Sequence, residues 1–361
     1  MKVLHAAETI KGGVATVMRQ IALANVASAE VEDIHCLVPE NQKNEINGLS
    51  PDNVITFKRT GRNISSFFSF LRVFILSIHR YKPDIIHLHS TFAGVLGRIA
   101  LMILYPIYRP KVIYCPHAFS FLMEGNKLKK SIYKNIERLL LPITDAVICV
   151  SEFERNAAIE NGLKKEKLHV VYNGVPVVDV SKTFPNPYQE DVVNLLFVGR
   201  FDYQKGFDIL SEMIEKLKGK PYHLTIVGGA VHGEDIYPEL PQTTYTGWLS
   251  SDKIAPYFSH ADVLIVPSRW EGFAMVSLEA MSYGIPVVSS NCTSFPEMIF
   301  PGKNGYMFDL SSPSSLTEII EDKSKEEWAL MGINAKVIFM EKFISEKMIE
   351  GTLNIYKKSL N

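Results

Sequence analysis

Two doubly wound α/β domains, each a parallel sheet covered by helices on both faces, are what this chain should form. Three observations predict it. Short apolar strands alternate with helical stretches along the whole length, a polar, proline-bearing stretch breaks the alternation once near the middle, and 361 residues with 47% hydrophobic content suffice for two buried cores. In the first half the strand candidates are Lys2–Ala6, Val31–Val38, Ile85–His89, Val112–Cys115, Ala146–Val150 and His169–Tyr172. Apolar runs of this kind, spaced by stretches long enough for a crossover helix, mark a parallel sheet buried on both faces. The break is Asp179-Val-Ser-Lys-Thr-Phe-Pro-Asn-Pro-Tyr-Gln-Glu-Asp191, which divides the chain into a first domain, 1–178, a linker, 179–191, and a second domain, 192–340. After it the alternation restarts with Val193–Gly199, His223–Gly228, Val263–Pro267 and Val287–Ser289. Ligands of open α/β sheets bind outside the carboxyl ends of the strands, so two such domains facing each other should form an interdomain cleft.

Charge and cysteine usage narrow the function. With 38 Lys+Arg against 39 Asp+Glu, the chain lacks the broad basic surface of a nucleic-acid binder. Cys36, Cys115, Cys149 and Cys292 are scattered, have no CxxC spacing and sit mostly in apolar runs, as reduced core thiols do in a cytoplasmic protein. Met1-Lys-Val-Leu-His-Ala-Ala7 turns polar too soon for an export signal. The apolar segments Phe67 to Ile78 and Ile99 to Tyr108 are interrupted by Arg72 and Pro106 and fall short of the roughly 20 residues of a spanning helix.

The chemistry concentrates in the second domain. Glu271-Gly-Phe-Ala-Met-Val-Ser-Leu-Glu279 lies between the strands Val263–Pro267 and Val287–Ser289 and reads as a glycine loop entering a helix. At about 3.6 residues per turn the two carboxylates fall on different turns, too far apart to share a proton and placed to hold two parts of one ligand. The backbone N–H groups between them, at a helix N-terminus, favour an anion such as a diphosphate. The plain structural alternative is that Glu271 caps the helix and Glu279 is solvated. Upstream, Gly199-Arg200-Phe-Asp-Tyr-Gln-Lys205-Gly206 follows the strand Val193–Gly199, and its two cations can converge on one diphosphate, Arg200 through a bidentate fork and Lys205 as a point charge. Without that position they would read as solvated loop residues.

With these motifs in this order, the chain resembles the retaining glycosyltransferases of family 4, which have the GT-B architecture of two Rossmann-like domains. The resemblance covers nearly the whole chain and extends to Lys11-Gly12-Gly13-Val14, Pro83-Asp-Ile-Ile-His-Leu-His89-Ser, Asn173-Gly174-Val175, Gly284-Ile-Pro-Val-Val288 and Lys303-Asn-Gly305-Tyr-Met-Phe308. It implies that Arg200 and Lys205 bind the donor diphosphate and stabilise the leaving group, that Glu279 holds ribose hydroxyls and that Glu271 holds the donor sugar. It also implies that the amides of Gly272, Phe273, Ala274 and Met275 complete the cradle. Cations and amides of this kind stand in for a metal ion, and the sequence shows no Asp-x-Asp pair or His cluster, so no metal or other cofactor is expected. By the same resemblance His117 contacts the donor sugar from the first domain, Gly12 and Gly13 let backbone approach phosphate or acceptor, and Trp248 meets the nucleobase. Each has its plain alternative: a satisfied histidine, a tight turn, a core tryptophan. His87 and His89 read as structural strand residues. Pro176 stands where the family has an acidic residue, and Asn291-Cys-Thr-Ser-Phe-Pro-Glu297 replaces a glycine-rich turn, which leaves the role of Glu297 open.

The expected activity is retaining, metal-independent transfer of a sugar from a UDP- or GDP-sugar to a saccharide acceptor in bacterial O-antigen, capsule or exopolysaccharide synthesis. A lipid-linked acceptor fits Phe67–Ile78 with His79-Arg80-Tyr-Lys82, and Lys127-Leu-Lys129-Lys130 leading to Lys134, since apolar helical faces edged with cations suit an anionic membrane surface. A buried helix and a solvated charge face explain the same segments equally well. The protein should therefore be cytoplasmic, at the inner face of the membrane if it binds there. Two competing functions are a nucleotide-sugar 2-epimerase and a non-catalytic saccharide- or nucleotide-binding module. The turn Glu8-Thr-Ile-Lys-Gly12-Gly13-Val lacks the spaced glycines of a dinucleotide-binding dehydrogenase. The closing helix, about 341–361, is expected to return to the first domain, by analogy with the family.

Overall fold

The structure, a computed structural model, describes residues 1–179, 182–230 and 238–361; Val180 and Ser181 of the expected linker lie outside them. The chain divides into unit 1, Met1–Asn173 with Ser345–Asn361, and unit 2, Gly174–Ile344. Unit 1 contains β1 (Lys2–Ala7), α1 (Gly13–Ala27), β2 (Asp33–Pro39), β3 (Val54–Phe57), α2 (Ile64–Tyr81), β4 (Ile85–His89), α3 (Thr91–Leu104), β5 (Lys111–Cys115), α4 (Lys127–Leu140), β6 (Ala146–Cys149), α5 (Glu152–Glu160) and β7 (Leu168–Val170). Unit 2 contains β8 (Val193–Arg200), α6 (Phe207–Lys216), β9 (Tyr222–Gly229), β10 (Thr243–Gly247), α7 (Ser251–His260), β11 (Val263–Val266), α8 (Met275–Tyr283), β12 (Val287–Ser290), α9 (Phe295–Met298), β13 (Gly305–Phe308), α10 (Ser314–Glu321) and α11 (Lys325–Lys342). The last helix, α12 (Ser345–Leu360), belongs to unit 1 and packs on α1, β5 and β6.

Both sheets are parallel, ordered β3-β2-β1-β4-β5-β6-β7 and β10-β9-β8-β11-β12-β13. The doubly wound expectation holds in each unit. In both, the chain starts in the middle, winds to one edge, then returns to wind to the other, leaving a switch point between β1 and β4 and another between β8 and β11. That is where loops diverge and a ligand can enter.

The domain limits differ from the sequence reading. The chain leaves unit 1 after Asn173, not 178, and returns at Ser345. The polar stretch from 182 to 191 lies within unit 2, where Tyr188 Oη donates to the Tyr257 carbonyl (3.1 Å) and His260 Nε2 bonds the Phe184 carbonyl (2.9 Å). Its prolines and polar residues suggest a free linker, yet the Tyr188 side chain and the Phe184 carbonyl anchor it. Three strands lie outside the apolar runs that the sequence offers: β3 is four residues long, β10 is a partly exposed edge strand rich in threonine, and β13 falls in the Lys303-Asn-Gly305-Tyr-Met-Phe308 motif.

In unit 1 the two sheet faces differ, because side chains alternate along a strand. Ile86 and Leu88 of β4 join Leu4, Phe70, Phe74, Tyr114 and Phe119 in the apolar core beneath α2 and α3. His87 and His89 point the other way. In unit 2 the core gathers Leu195, Phe197, Leu224, Ile265, Leu316, Ile320 and Trp328.

Candidate functional site

In unit 2 the loops after β8 and β11 interlock at the switch point. Gly206, the N-cap of α6, has φ 67°, and a Cβ built on it would lie 2.0 Å from the Pro267 carbonyl oxygen, so no other residue lets the two loops touch. This contact brings Lys205 to Glu271: Lys205 Nζ donates to Glu271 Oε1 at 2.5 Å, and Ser268 Oγ donates to the same oxygen at 2.8 Å. Arg200 Nη2 lies 3.1 Å from Asp202 Oδ2 and donates to Gln204 Oε1 at 2.8 Å. Asp202 Oδ1 accepts the Lys205 backbone N–H at 2.9 Å. Arg200, Lys205 and Glu271 are thus one cluster joined through Asp202. Asp202, Gln204 and Ser268 escaped the sequence reading, although Asp202 and Gln204 lie inside the same motif.

Arg269 braces the loops from outside, with Nη1 and Nη2 on Asp208 at 2.7 and 2.6 Å and its guanidinium 3.7 Å from the centre of the Tyr203 ring. Glu271 does not cap α8: the N-cap is Ala274, and no side chain accepts from the first turn. Phe273 and Ala274 bury their side chains, so what they can offer a ligand is backbone. A helix N-terminus without a side-chain cap beside paired charges suits an anion.

Glu279 lies on α8 with no bond to this cluster, and burial pushes its carboxyl up to about 7. Trp248 follows β10 at the sheet edge and is 56% exposed, which rules out a core role and leaves its indole open to stacking.

In unit 1, Gly12 caps α1 at the carboxyl end of β1 with φ 58°, and Gly13 opens the helix. His117 follows β5 with φ 59°, an uncommon conformation for a histidine. Both its ring nitrogens are engaged, Nε2 with His89 Nδ1 at 3.0 Å and Nδ1 with Cys115 Sγ at 3.6 Å. The chain continues inward from His89 Nε2 to His5 Nδ1 (3.0 Å) and from His5 Nε2 to Asn25 Nδ2 (2.9 Å). His87 stacks on His89 with centroids 4.0 Å apart and bonds Tyr356 Oη of α12 through Nδ1 (2.6 Å). Burial holds these imidazoles neutral, lowering His5 to about 3, His117 to about 4, and His87 and His89 well below the usual histidine value.

The sequence showed no histidine cluster; the fold assembles one. Neighbouring strands place His5 beside His87, and the nearest ligand atoms of His5, His87 and His89 lie within 4.8 Å of one another. They are the described residues that could hold a metal ion, although hydrogen bonds already occupy nitrogens of all three. His117 also lines a cavity of about 400 Å³ at the carboxyl ends of β1, β4 and β5, together with Glu8, Arg62, Ser90, Lys129 and Tyr133.

Known proteins resemble this chain in sequence and in fold. The model "Glycosyltransferase Family 4" matches residues 11–178 and "Glycosyl transferases group 1" matches 193–324. The chain is 38% identical to an uncharacterized 41.2 kDa protein in the cps region of Klebsiella pneumoniae, over 99% of both chains. It is 31% identical to the O-antigen biosynthesis glycosyltransferase WbnH of Escherichia coli, over 65% of this chain and 67% of WbnH. In fold it resembles sucrose-phosphate synthase from Thermosynechococcus elongatus, with a TM-score of 0.82 at 18% identity over 99% of both chains. It likewise resembles Anabaena HepE in complex with UDP and glucose, with a TM-score of 0.77 at 18% identity over 99% and 100% of the two chains. The chain belongs to the family 4, group 1 glycosyltransferases of GT-B fold, and is an enzyme of the hexosyltransferase class.

Proposed function

We propose that this enzyme transfers a hexose, with retention of configuration and without a metal ion, from a nucleotide diphosphate sugar to a saccharide acceptor in the assembly of a bacterial surface polysaccharide. The observation that carries the reading is the Arg200–Asp202–Lys205–Glu271 cluster at the β8/β11 switch point, beside the N-terminus of α8. Breaking a sugar–phosphate bond builds negative charge on the departing diphosphate, and fixed cations and N–H groups lower that barrier. In this reading Arg200, Lys205 and the amides from Gly272 to Met275 take the diphosphate, and Glu271, freed from Lys205, binds donor-sugar hydroxyls. Glu279 takes the ribose and Trp248 the base, while Gly12, Gly13 and His117 act from unit 1.

The relatives support the pathway: one lies in a cps region and another is named for O-antigen biosynthesis. HepE, whose complexes contain UDP, UDP-glucose, or UDP with glucose, supports a UDP-sugar over a GDP-sugar as donor. Among the described residues Glu271 Oε1 is held by Lys205 and Ser268, with no carboxylate bonded to it, which supports front-face displacement, the leaving phosphate helping to deprotonate the acceptor. A trapped covalent sugar on Glu271 would overturn this. The acceptor is lipid-linked and the enzyme works at the inner face of the cytoplasmic membrane; no helix among the described residues is long and apolar enough to cross it. Thermal shift with UDP-, GDP-, ADP- and TDP-sugars tests the donor half: a shift with one nucleotide, lost in Arg200→Ala and Glu279→Ala, is expected, and no shift with any would refute it. Turnover abolished by EDTA would refute metal independence.

A further inference from the structure

Three histidines meet on the face of the unit 1 sheet that α1 and α12 reach. His5 and His87 are partners across β1 and β4, and His89 follows two residues along on the same face. All three are at most 1% exposed, so their nitrogens depend on the protein, or on something it binds, for partners. The hydrogen-bonded file from Asn25 through His5 and His89 to His117 accounts for two of the three rings. It leaves His87 Nε2 and Asn25 Oδ1 buried without a hydrogen-bond partner among the described residues. Unpaired buried polar atoms are costly, and two of them around three imidazoles point to a missing group.

One metal ion accounts for both. Its ligands are His5 Nδ1, His87 Nε2 and His89 Nε2, and the other nitrogen of each ring already has an outer partner: Asn25 for His5, the Tyr356 hydroxyl for His87 and His117 for His89. Metal-bound imidazoles are held in this way, the remaining N–H donating to an outer group that fixes tautomer and ring orientation. The ion displaces one hydrogen bond, that between His5 Nδ1 and His89 Nε2. The protons balance without loss. When Asn25 Nδ2 donates to His5 Nε2, the His5 proton is on Nδ1; turning the amide over so that Oδ1 accepts moves that proton to Nε2 and frees the Nδ1 lone pair. In the same arrangement His89 donates through Nδ1 to His117, and His87 through Nδ1 to Tyr356.

The spacing suits a zinc-class ion. With metal–nitrogen distances of about 2.0–2.1 Å, ligands around a tetrahedral ion lie about 3.3 Å apart. His5 Nδ1 and His89 Nε2 are 3.0 Å apart, and the nearest ligand atoms of all three rings lie within 4.8 Å of one another. Imidazoles suit Zn²⁺ and its neighbours, whereas Mg²⁺ and Ca²⁺ seek oxygen. A cavity of about 10 Å³ bounded by His87, His89, Cys115 and His117 adjoins the rings, about the least space that holds one water, and offers a fourth position.

We propose that His5, His87 and His89 form a buried structural site for a divalent transition metal ion of the zinc class, which ties β1 to β4 and, through Asn25 and Tyr356, fastens α1 and α12 to the sheet. No step of the proposed transfer passes through this ion, which lies in the interior of unit 1.

The full chain is unfolded in urea with EDTA, refolded with Zn²⁺, Co²⁺ or Mg²⁺ so that the ion can enter, and passed through gel filtration. One Zn²⁺ or Co²⁺ per chain should be retained, and no Mg²⁺, and the Co²⁺ form should show the strong visible absorption of a tetrahedral site. His5→Phe and His87→Phe keep an aromatic ring and should each lose the ion. Tyr356→Phe keeps all three ligands and should weaken Zn²⁺ binding about 10–100-fold at unchanged stoichiometry; it decides the matter should a ligand variant fail to fold. Zn²⁺ should raise the urea midpoint read by circular dichroism and leave that read by tryptophan fluorescence, because all three tryptophans lie in unit 2. No retained metal, equal retention by His5→Phe and His87→Phe, or unchanged affinity in Tyr356→Phe would overturn the site. Turnover lost together with the ion, from protein that stays folded, would overturn its structural role.

Discussion

Units 1 and 2 wind their sheets in the same order yet fill their switch points in opposite ways. At β8/β11 the loops bring formal charges together in pairs at the protein surface, Lys205 with Glu271 and Arg200 with Asp202. Beside β1/β4 the strands bury His5, His87 and His89, and the half-buried His117 continues the file, all held neutral. Topology therefore decides where a site can be, and the loop and strand-end residues decide what it does. The contrast extends to pH. Buried neutral histidines have lower pKa values folded than unfolded, so their stabilising effect is complete above about 6.5 and is lost as pH falls toward 4 or 3. Glu279 has a raised pKa, so its stabilising effect is complete below about 4.5 and is lost as pH rises through 7.

The comparison breaks most sharply at the paired charges. Lys205→Ala should lower kcat about 10²–10³-fold, or roughly 3–4 kcal/mol, if its ammonium meets the leaving group. Steady-state turnover measures this, and a change confined to KM would deny Lys205 a transition-state role. Gly206→Ala comes next: the strain at φ 67° and the collision with Pro267 should cost about 2–4 kcal/mol and loosen the Lys205–Glu271 contact, as read by urea unfolding.

The pH contrast can be read separately in each unit, because Trp248, Trp270 and Trp328, the chain's three tryptophans, all lie in unit 2. Between pH 6.5 and 4.5 the urea midpoint from circular dichroism, which includes unit 1, should fall relative to the fluorescence midpoint. The limiting slope is about 1.4 kcal/mol per pH unit for each histidine. Midpoints that move together would erase the distinction. The smallest effect is Glu279→Gln, which should gain about 1–2 kcal/mol over wild type between pH 5 and pH 8 in fluorescence-detected unfolding. A constant difference across that range would mean the carboxyl is not desolvated.

The Arg200, Lys205 and Glu271 cluster was legible because Arg200 and Lys205 lie at and just after the end of β8 and Glu271 in the loop after β11, so order along the chain already implied a meeting at the carboxyl ends. Glu279 was legible as a helix residue, not as a half-buried one whose carboxyl is desolvated, since that depends on neighbours that the motif does not contain. The histidine file was illegible for a related reason. His5 and His87 lie far apart in sequence and become neighbours only because β1 and β4 flank the switch point, and Asn25 and Tyr356 reach them from α1 and α12. The polar stretch after Asn173 misled in the opposite sense, since Tyr188 and His260 tie it into unit 2. The strands that escaped notice, β3, β10 and β13, are short or at an edge, with too few buried positions to give an apolar run.

Unit 1 is written in two pieces with all of unit 2 between them, and the second piece holds α12. During synthesis from the N-terminus, unit 2 is complete as soon as Ile344 has emerged, whereas unit 1 waits for the residues that follow. Until then the surfaces of α1, β5 and β6 that α12 covers stay open to water, and His87 lacks the Tyr356 hydroxyl that holds it. Unit 2 can therefore fold before unit 1, the reverse of the usual N-terminal-first sequence, and a ribosome stalled shortly before Ser345 would carry a complete unit 2 and an incomplete unit 1.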